Sequence, residues 1–161
     1  MPAGSARRRF WPTLLVATLV AGTLDILSAF LFAGIGGVGP LSVLKFVASG
    51  PFGTSPGRGN GWAAVGLIVH YAIMAVMAGA YLAAARRVPA LLRHPVAAGL
   101  AYGLLLWLVM HWVVLPLRWP QAPLPSGLYE IANTLFSHCI LVGLPIALIA
   151  ARSFGAARGG S

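Results

Sequence analysis

The chain has 161 residues, of which 59% are hydrophobic and only 8% are charged, and its mean hydropathy is +0.88. This composition excludes an ordinary soluble domain, in which about a quarter of the residues are charged. The formal net charge of +9 is carried by arginines that lie in short clusters beside apolar runs, so membrane topology explains them better than a nucleic-acid partner, which we do not expect.

The sequence predicts an all-α integral membrane protein, a four-helix bundle that forms a single transmembrane domain over residues 1–161. Its four spans are expected at about 10–33, 62–85, 95–117 and 128–151, because each is an apolar run long enough to cross a bilayer. The cluster Arg7, Arg8 and Arg9 before the first span leaves a cleaved signal peptide as an alternative. The length of the apolar run and the acidic Asp25 within it argue against cleavage.

Residues 34–61 contain several Pro and Gly clusters around a short apolar stretch at 41–48. A helix of about eight to twelve residues, rising 1.5 Å per residue, cannot cross a hydrocarbon core of about 30 Å. We therefore predict a short interfacial or re-entrant helix between the first two spans, ended by Gly50 and Pro51.

The basic residues predict the orientation of the chain. With a cytoplasmic N-terminus, eight Lys and Arg residues lie on the cytoplasmic side and three on the other side, namely Lys45, Arg58 and Arg118. This bias favours cytoplasmic N- and C-termini in a multi-pass membrane protein. The lipid bilayer is the expected partner, and a homo-oligomer or a membrane protein partner stays open.

Each predicted span carries an ionisable residue. Asp25, His70, His111 and His138 lie about 9 to 15 Å below the outer ends of their spans, counted at 1.5 Å per residue. Polar residues also recur at helical spacing in the fourth span, and such a stripe is expected to face other helices rather than lipid. We therefore predict a buried polar cluster with the following members: Asp25, His70, His138, His111, Glu130 and Asn133.

The cluster allows two chemical interpretations. It orders the helices through hydrogen bonds, or it binds a ligand, with His70, His138 and Asp25 as the weak candidates for a metal site. Haem bound between two histidines is a further alternative. The chain lacks the usual enzyme motifs, so we expect no catalytic residue and no resident cofactor.

Close helix packing has a signal of its own. Gly99 and Gly103 form a GxxxG pair, and Ala75 and Gly79 form a similar pair of small residues. Small residues at this spacing let two helix backbones approach closely. They predict a packed bundle without identifying the neighbouring helices.

Several short motifs occur over roughly residues 20–150, namely Ala21-Gly22-Thr23-Leu24-Asp25-Ile26, Ala48-Ser49-Gly50, Gly66-Leu67 with His70-Tyr71, His94-Pro95, Gly99-Leu100-Ala101-Tyr102-Gly103, Val113-Val114-Leu115-Pro116-Leu117, and His138 with Val142-Gly143-Leu144-Pro145-Ile146-Ala147-Leu148. Together they resemble a family of small, uncharacterised bacterial inner-membrane proteins with four spans, which implies a bacterial inner (plasma) membrane as the location. The resemblance implies no activity. The position of His111 is often Asn in that family, which leaves Asp25, His70 and His138 as the favoured trio.

Two functions fit this sequence. The first is transport or permeation of a small solute, a proton or a cation that uses the Asp and His residues of the buried polar cluster. The alternative is a non-catalytic membrane scaffold or accessory subunit whose buried polar cluster only orders helix packing. A membrane-embedded enzyme is disfavoured by the missing motifs, although an enzymatic role stays open.

Overall fold

The computed structural model describes residues 3–54, 59–121 and 126–155, with side chains from Arg9 onward. This part of the chain is helical and contains no strand. Its helices are α1 (Ala3–Ile35), α2 (Pro40–Phe52), α3 (Trp62–Arg87), α4 (Ala90–Arg93), α5 (Pro95–Arg118) and α6 (Leu128–Gly155).

Four of these helices are long and apolar enough to cross a membrane. They are Arg9–Ile35 within α1, together with α3, α5 and α6 over their full lengths. The predicted all-α class is confirmed, and so are four long apolar segments, each within a few residues of the predicted bounds.

Helix α2 confirms the short helix predicted between the first two apolar segments. At 1.5 Å per residue its 13 residues extend about 20 Å, less than the roughly 30 Å of a bilayer core. The predicted end at Gly50 and Pro51 was wrong, because Pro51 lies inside the last turn and the helix continues to Phe52. The carbonyls of Ser49 and Gly50 in this last turn accept hydrogen bonds from the Arg118 side chain, which lies outside the helix. Carbonyls at the end of a helix lack partners within it, so Arg118 stabilises this end of α2.

The long helices alternate in direction. Arg9 Nη1, at the start of the apolar part of α1, donates a 3.2 Å hydrogen bond to the carbonyl of Ser153 near the end of α6. The guanidinium of Arg86, near the end of α3, lies 5.6 Å from the centre of the Phe10 ring. The start of α1 and the ends of α3 and α6 therefore lie at the same end of the molecule.

The helices contact one another in pairs. Helix α1 packs against α3 and α6, α5 packs against α6, and α2 lies against α3. The core is formed mainly by α1, α3 and α6, and its largest fully buried side chains are Tyr81, Leu82, Val142 and Ile146. Alanines fill most of the remaining core, which keeps these helices close together.

Glycines bring the backbones of α5 and α6 into direct contact. A Cβ atom on Gly99 would lie 2.8 Å from the Cα atom of Leu144, and one on Gly103 would overlap the carbonyl oxygen of His138. On the other helix, a Cβ atom on Gly143 would overlap the carbonyl oxygen of Gly99. The GxxxG pair of α5 therefore has α6 as its partner, which the sequence did not identify.

Helices α5 and α6 each contain a π-helical segment. These segments are Met110–Val114 in α5 and Ser137–Gly143 in α6. Each is followed within two residues by a proline, Pro116 or Pro145, whose ring nitrogen cannot donate the usual helical hydrogen bond. The wider turns place His111 and His138 in locally distorted backbone, a feature often found at functional sites.

Candidate functional site

Asp25 of α1 is joined to α6 by a hydrogen bond. The Oγ–H of Ser137 donates to Oδ1 of Asp25, and the carboxyl group is half-buried between the two helices. Ser137 is the first residue of the π-helical segment of α6. The acidic side chain predicted to be buried in the first apolar segment therefore has its partner on the polar stripe of the fourth.

His111 of α5 and His138 of α6 face each other. Their ring centres are 5.7 Å apart, and the ring planes meet at 68° in an edge-to-face arrangement. Nδ1 of His111 donates to the carbonyl of Trp107 at 3.0 Å, and Nδ1 of His138 donates to the carbonyl of Thr134 at 2.9 Å. Because a carbonyl oxygen can only accept, the proton of each neutral ring sits on Nδ1, and Nε2 is the acceptor.

Two further side chains close this arrangement. The indole Nε1–H of Trp107 donates a 2.8 Å hydrogen bond to Oγ1 of Thr134, and the Trp107 ring stacks on the ring of His111 at 5.0 Å. The two residues whose carbonyls accept from the histidines are therefore hydrogen-bonded to each other through their side chains. We call the following set the polar layer: Asp25, Trp107, His111, Thr134, Ser137 and His138.

His70 occupies a different place. Its Nε2 atom donates a 2.9 Å hydrogen bond to the carbonyl of Gly22 in α1, and the side chain is buried in α3. Its ring also contacts Tyr71, whose hydroxyl forms a 2.8 Å hydrogen bond with Thr23. His70 therefore binds the backbone of α1 one turn before Asp25, without a hydrogen bond to Asp25 or His138.

The expected ranking of the histidines needs correction. The family resemblance favours His70 over His111, whereas the ring in contact with His138 belongs to His111. The physical reason lies in the packing, because α6 contacts α5 closely at Gly103 and brings His138 to that helix. His70 instead lies on the part of α3 that packs against α1.

Two predicted members of the cluster on α6 differ from the polar layer. Glu130 is exposed, because it lies in the first turn of the helix, and placing it in a buried cluster was wrong. Asn133 is half-buried, and its Oδ1 atom has no hydrogen-bond partner among the described residues. A buried carbonyl oxygen of this kind is normally satisfied by a water or a bound group.

The candidate metal site considered from the sequence also needs correction. Among residues 9–54, 59–121 and 126–155, no three His, Cys, Asp or Glu side chains lie close enough together to hold a metal ion. Asp25, His70 and His138 therefore do not form the metal-binding trio considered from the sequence. The polar layer instead offers one carboxylate and two imidazole rings, which are groups that exchange protons.

The roles of Ser137, Trp107 and Thr134 in the polar layer are not evident from the sequence. Thr134 and Ser137 are among the polar residues that recur at helical spacing in the fourth span, but their partners on α1 and α5 depend on helix packing. Pro116 and Pro145 were an additional signal, since prolines within long apolar helices often accompany local distortion. That signal would have drawn attention to both π-helical segments.

Comparison with known proteins identifies no family for this chain, so the inferences on function below are based on its own residues. The resemblance to small bacterial inner-membrane proteins stays a prediction. No protein-family model matches the chain, and no similar protein was found among curated proteins or solved structures.

Proposed function

We propose that this chain is a multi-pass protein of a bacterial inner membrane that transports protons or small cations, using the polar layer to exchange them. One observation carries the proposal. Asp25 of α1 is hydrogen-bonded to Ser137 of α6, which precedes His138, and the ring of His138 contacts the ring of His111 on α5. These ionisable residues of three helices lie within segments that are long and apolar enough to cross a bilayer. Ionisable residues at such depth cost several kcal/mol to insert and commonly serve ion or proton pathways.

The outer surface of the long helices supports membrane embedding. Large apolar side chains such as Leu117, Val76 and Ile68 are 80%, 73% and 70% exposed. In water, so much exposed apolar surface on a monomer would favour aggregation, whereas lipid solvates it. The lipid bilayer is therefore the environment in which this surface is stable.

The two ends of the molecule support the proposed orientation. Arg9, Arg86 and Arg152 lie near the end where α1 begins, whereas Lys45 and Arg118 belong to α2 and the opposite end of α5. By the positive-inside rule the first end faces the cytoplasm. Reporter fusions after Arg87 should then report a cytoplasmic location, and fusions at Gln121 an external one. The reverse result would overturn this orientation.

The chemistry of the polar layer supports proton exchange. With Nδ1–H bonded to backbone carbonyls, each neutral histidine keeps an Nε2 lone pair that can accept a proton. Asp25 is hydrogen-bonded to Ser137, the neighbour of His138 in the chain, and His138 contacts His111. A proton can therefore be held at a carboxylate or at either imidazole within one layer.

A flux assay on reconstituted protein tests this proposal. The full chain is placed in liposomes containing a pH-sensitive dye, and a potassium gradient with valinomycin drives proton entry. We expect Asp25→Asn to reduce proton flux to the level of protein-free liposomes, because the amide cannot exchange a proton. Glu130→Gln removes the other acidic residue of the chain from an exposed position and is the matched control, with flux expected to remain.

The folding state of the variants must be checked in the same preparations. Asp25→Asn should elute as a monodisperse species with the thermal stability of the wild-type protein, since an amide oxygen can still accept from Ser137. Full flux through a folded Asp25→Asn variant would contradict proton exchange at this residue. Absence of proton and cation flux through the wild-type protein would contradict the transport proposal itself.

A second function is favoured by a specific observation. Each histidine of the polar layer is bonded to its own helix, and Asp25 is bonded to Ser137, so the layer is largely satisfied by the protein itself. Such a network fixes the relative positions of helices, as a membrane scaffold or an accessory subunit in a homo-oligomer or with another membrane protein requires. This role predicts that Asp25→Ala, which removes the acceptor of the Ser137 hydroxyl, impairs folding or assembly.

A further inference from the structure

An open pocket lies between α2 and the end of α5, away from the polar layer. Its cavity volume is about 590 Å³. On α2, residues spaced by three and four positions share the face that borders it, and the last turn of α5 and the following residue complete the wall. The residues that matter below are Ser42, Lys45, Phe46, Ser49, Arg118 and Trp119, and we call this site the basic pocket.

Arg118 is held in a fixed position at one side of the basic pocket. Its Nη2 atom donates a 2.7 Å hydrogen bond to the carbonyl of Ser49, and its Nε atom donates to the carbonyl of Gly50. Its guanidinium also lies 5.3 Å from the centre of the Trp119 ring. A guanidinium has five N–H donors, so three are not used by these two hydrogen bonds.

Lys45 supplies a second positive charge that no carboxylate neutralises. The chain contains two acidic residues. They are Asp25, which belongs to the polar layer, and Glu130 on the first turn of α6, and neither borders the basic pocket. Two uncompensated cations facing one cavity repel each other unless solvent or an anion separates them.

Two stacked aromatic rings border the basic pocket and restrict the class of ligand that fits it. The rings of Phe46 and Trp119 stack with their centres 4.9 Å apart and their planes at 16°. These rings give the basic pocket an apolar side next to its cationic side. Such a combination suits a ligand that carries a compact anionic group, with or without an attached apolar part.

We infer that the basic pocket binds a phosphate group between Lys45 and Arg118. Phosphate offers several strong acceptor oxygens, which match the ammonium of Lys45 and the remaining guanidinium N–H groups of Arg118. The Ser42 hydroxyl borders the same cavity and can donate as well. The phosphate can come from a phospholipid headgroup or from a soluble phosphate, and this site is independent of proton exchange in the polar layer.

Calorimetric titration of the full chain in a non-ionic detergent tests the site and distinguishes the two sources. The probes are inorganic phosphate, dihexanoyl phosphatidylglycerol, and dihexanoylglycerol, which has the same chains without the phosphate. The test variant is Lys45→Gln, and Arg93→Gln is the charge-matched control, because Arg93 is exposed on α4 and does not border the basic pocket.

We expect saturable binding of at least one phosphate probe and none of dihexanoylglycerol. Lys45→Gln should weaken this binding about tenfold or more, since a charge-assisted hydrogen bond is lost, and Arg93→Gln should leave it unchanged. Binding of inorganic phosphate identifies a soluble source, and binding of phosphatidylglycerol alone identifies a lipid source. The inference is overturned if neither phosphate probe binds saturably, or if the two variants behave alike.

Discussion

The polar layer and the basic pocket differ in how their ionisable side chains are partnered. In the polar layer, Asp25, His111 and His138 are bonded to neighbours within the protein. In the basic pocket, Lys45 and Arg118 have no carboxylate beside them. The difference follows from the surroundings, because a polar group among apolar helices must find a protein partner, whereas a charge at the rim is satisfied by water or a ligand. Substitutions in the two regions should therefore affect different properties.

The largest effect on stability is expected at the glycine contact beneath the polar layer. In Gly103→Ala the new Cβ atom would overlap the backbone of His138 and Cys139, which cannot move as a flexible side chain can. We expect a loss of about 3 kcal/mol in the free energy of unfolding, because α5 and α6 must separate. Unfolding in mixed detergent micelles, followed by circular dichroism, measures this loss.

Gly34→Ala is the matched control for that experiment. Gly34 also lies in a helix, but a Cβ atom there would meet nothing within 4 Å. Alanine favours a helix more than glycine does, so this variant should be as stable as the wild-type protein or slightly more stable. Equal stability of the Gly34→Ala and Gly103→Ala variants would contradict the close contact between α5 and α6.

The next largest effect on stability distinguishes Arg118 from Lys45, the two cations of the basic pocket. Arg118→Gln should lower stability by about 2 kcal/mol, because the last carbonyls of α2 lose charge-assisted hydrogen bonds. Lys45→Gln should change stability by less than about 0.5 kcal/mol, since Lys45 borders the cavity without such a role. Hydrogen exchange should accelerate at the end of α2 only in Arg118→Gln, and acceleration in both variants would contradict this division.

Much of the fold could be predicted from the sequence. Apolar runs of sufficient length define the four long helices, because segment length and hydropathy are local properties of the chain. The short helix before Gly53 follows from the same reasoning. Its end was misjudged because the partner of its last carbonyls is Arg118, which lies far along the chain at the end of α5.

The candidate site could be predicted only in part. Residue depth, which can be counted along each helix, suggested that Asp25 and the histidines lie at similar heights. Which side of a helix meets which neighbour depends on packing, and here it depends on the contact between Gly103 and the backbone of His138. The sequence alone therefore could not tell that His111, and not His70, contacts His138.

A smaller effect is expected from the ring contact within the polar layer. His111→Gln, His138→Gln and the double variant form a thermodynamic cycle for the edge-to-face pair. We expect a coupling of about 1 kcal/mol, typical of aromatic pairs beyond their burial. The same cycle made with His70 and His138 should give no coupling, because His70 binds the carbonyl of Gly22. A coupling of equal size in both cycles would contradict the corrected assignment.

The smallest perturbation concerns α2, which is predicted to lie at the outer surface without crossing the membrane. Ser42 is exposed and Ala48 is fully buried, so cysteines at these positions should behave differently although both lie on one short helix. In a Cys139→Ala background, an impermeant maleimide added to intact cells should label Ser42→Cys, leave Ala48→Cys unlabelled, and leave Arg93→Cys unlabelled until the membrane is permeabilised. Arg93→Cys is the control because α4 lies at the end of the molecule proposed to be cytoplasmic.

Labelling of Arg93→Cys in intact cells, with Ser42→Cys protected, would reverse the proposed orientation. Protection of both Ser42→Cys and Arg93→Cys until permeabilisation would place α2 and α4 on the same side of the membrane and would contradict a single crossing by α3, which lies between them in the chain.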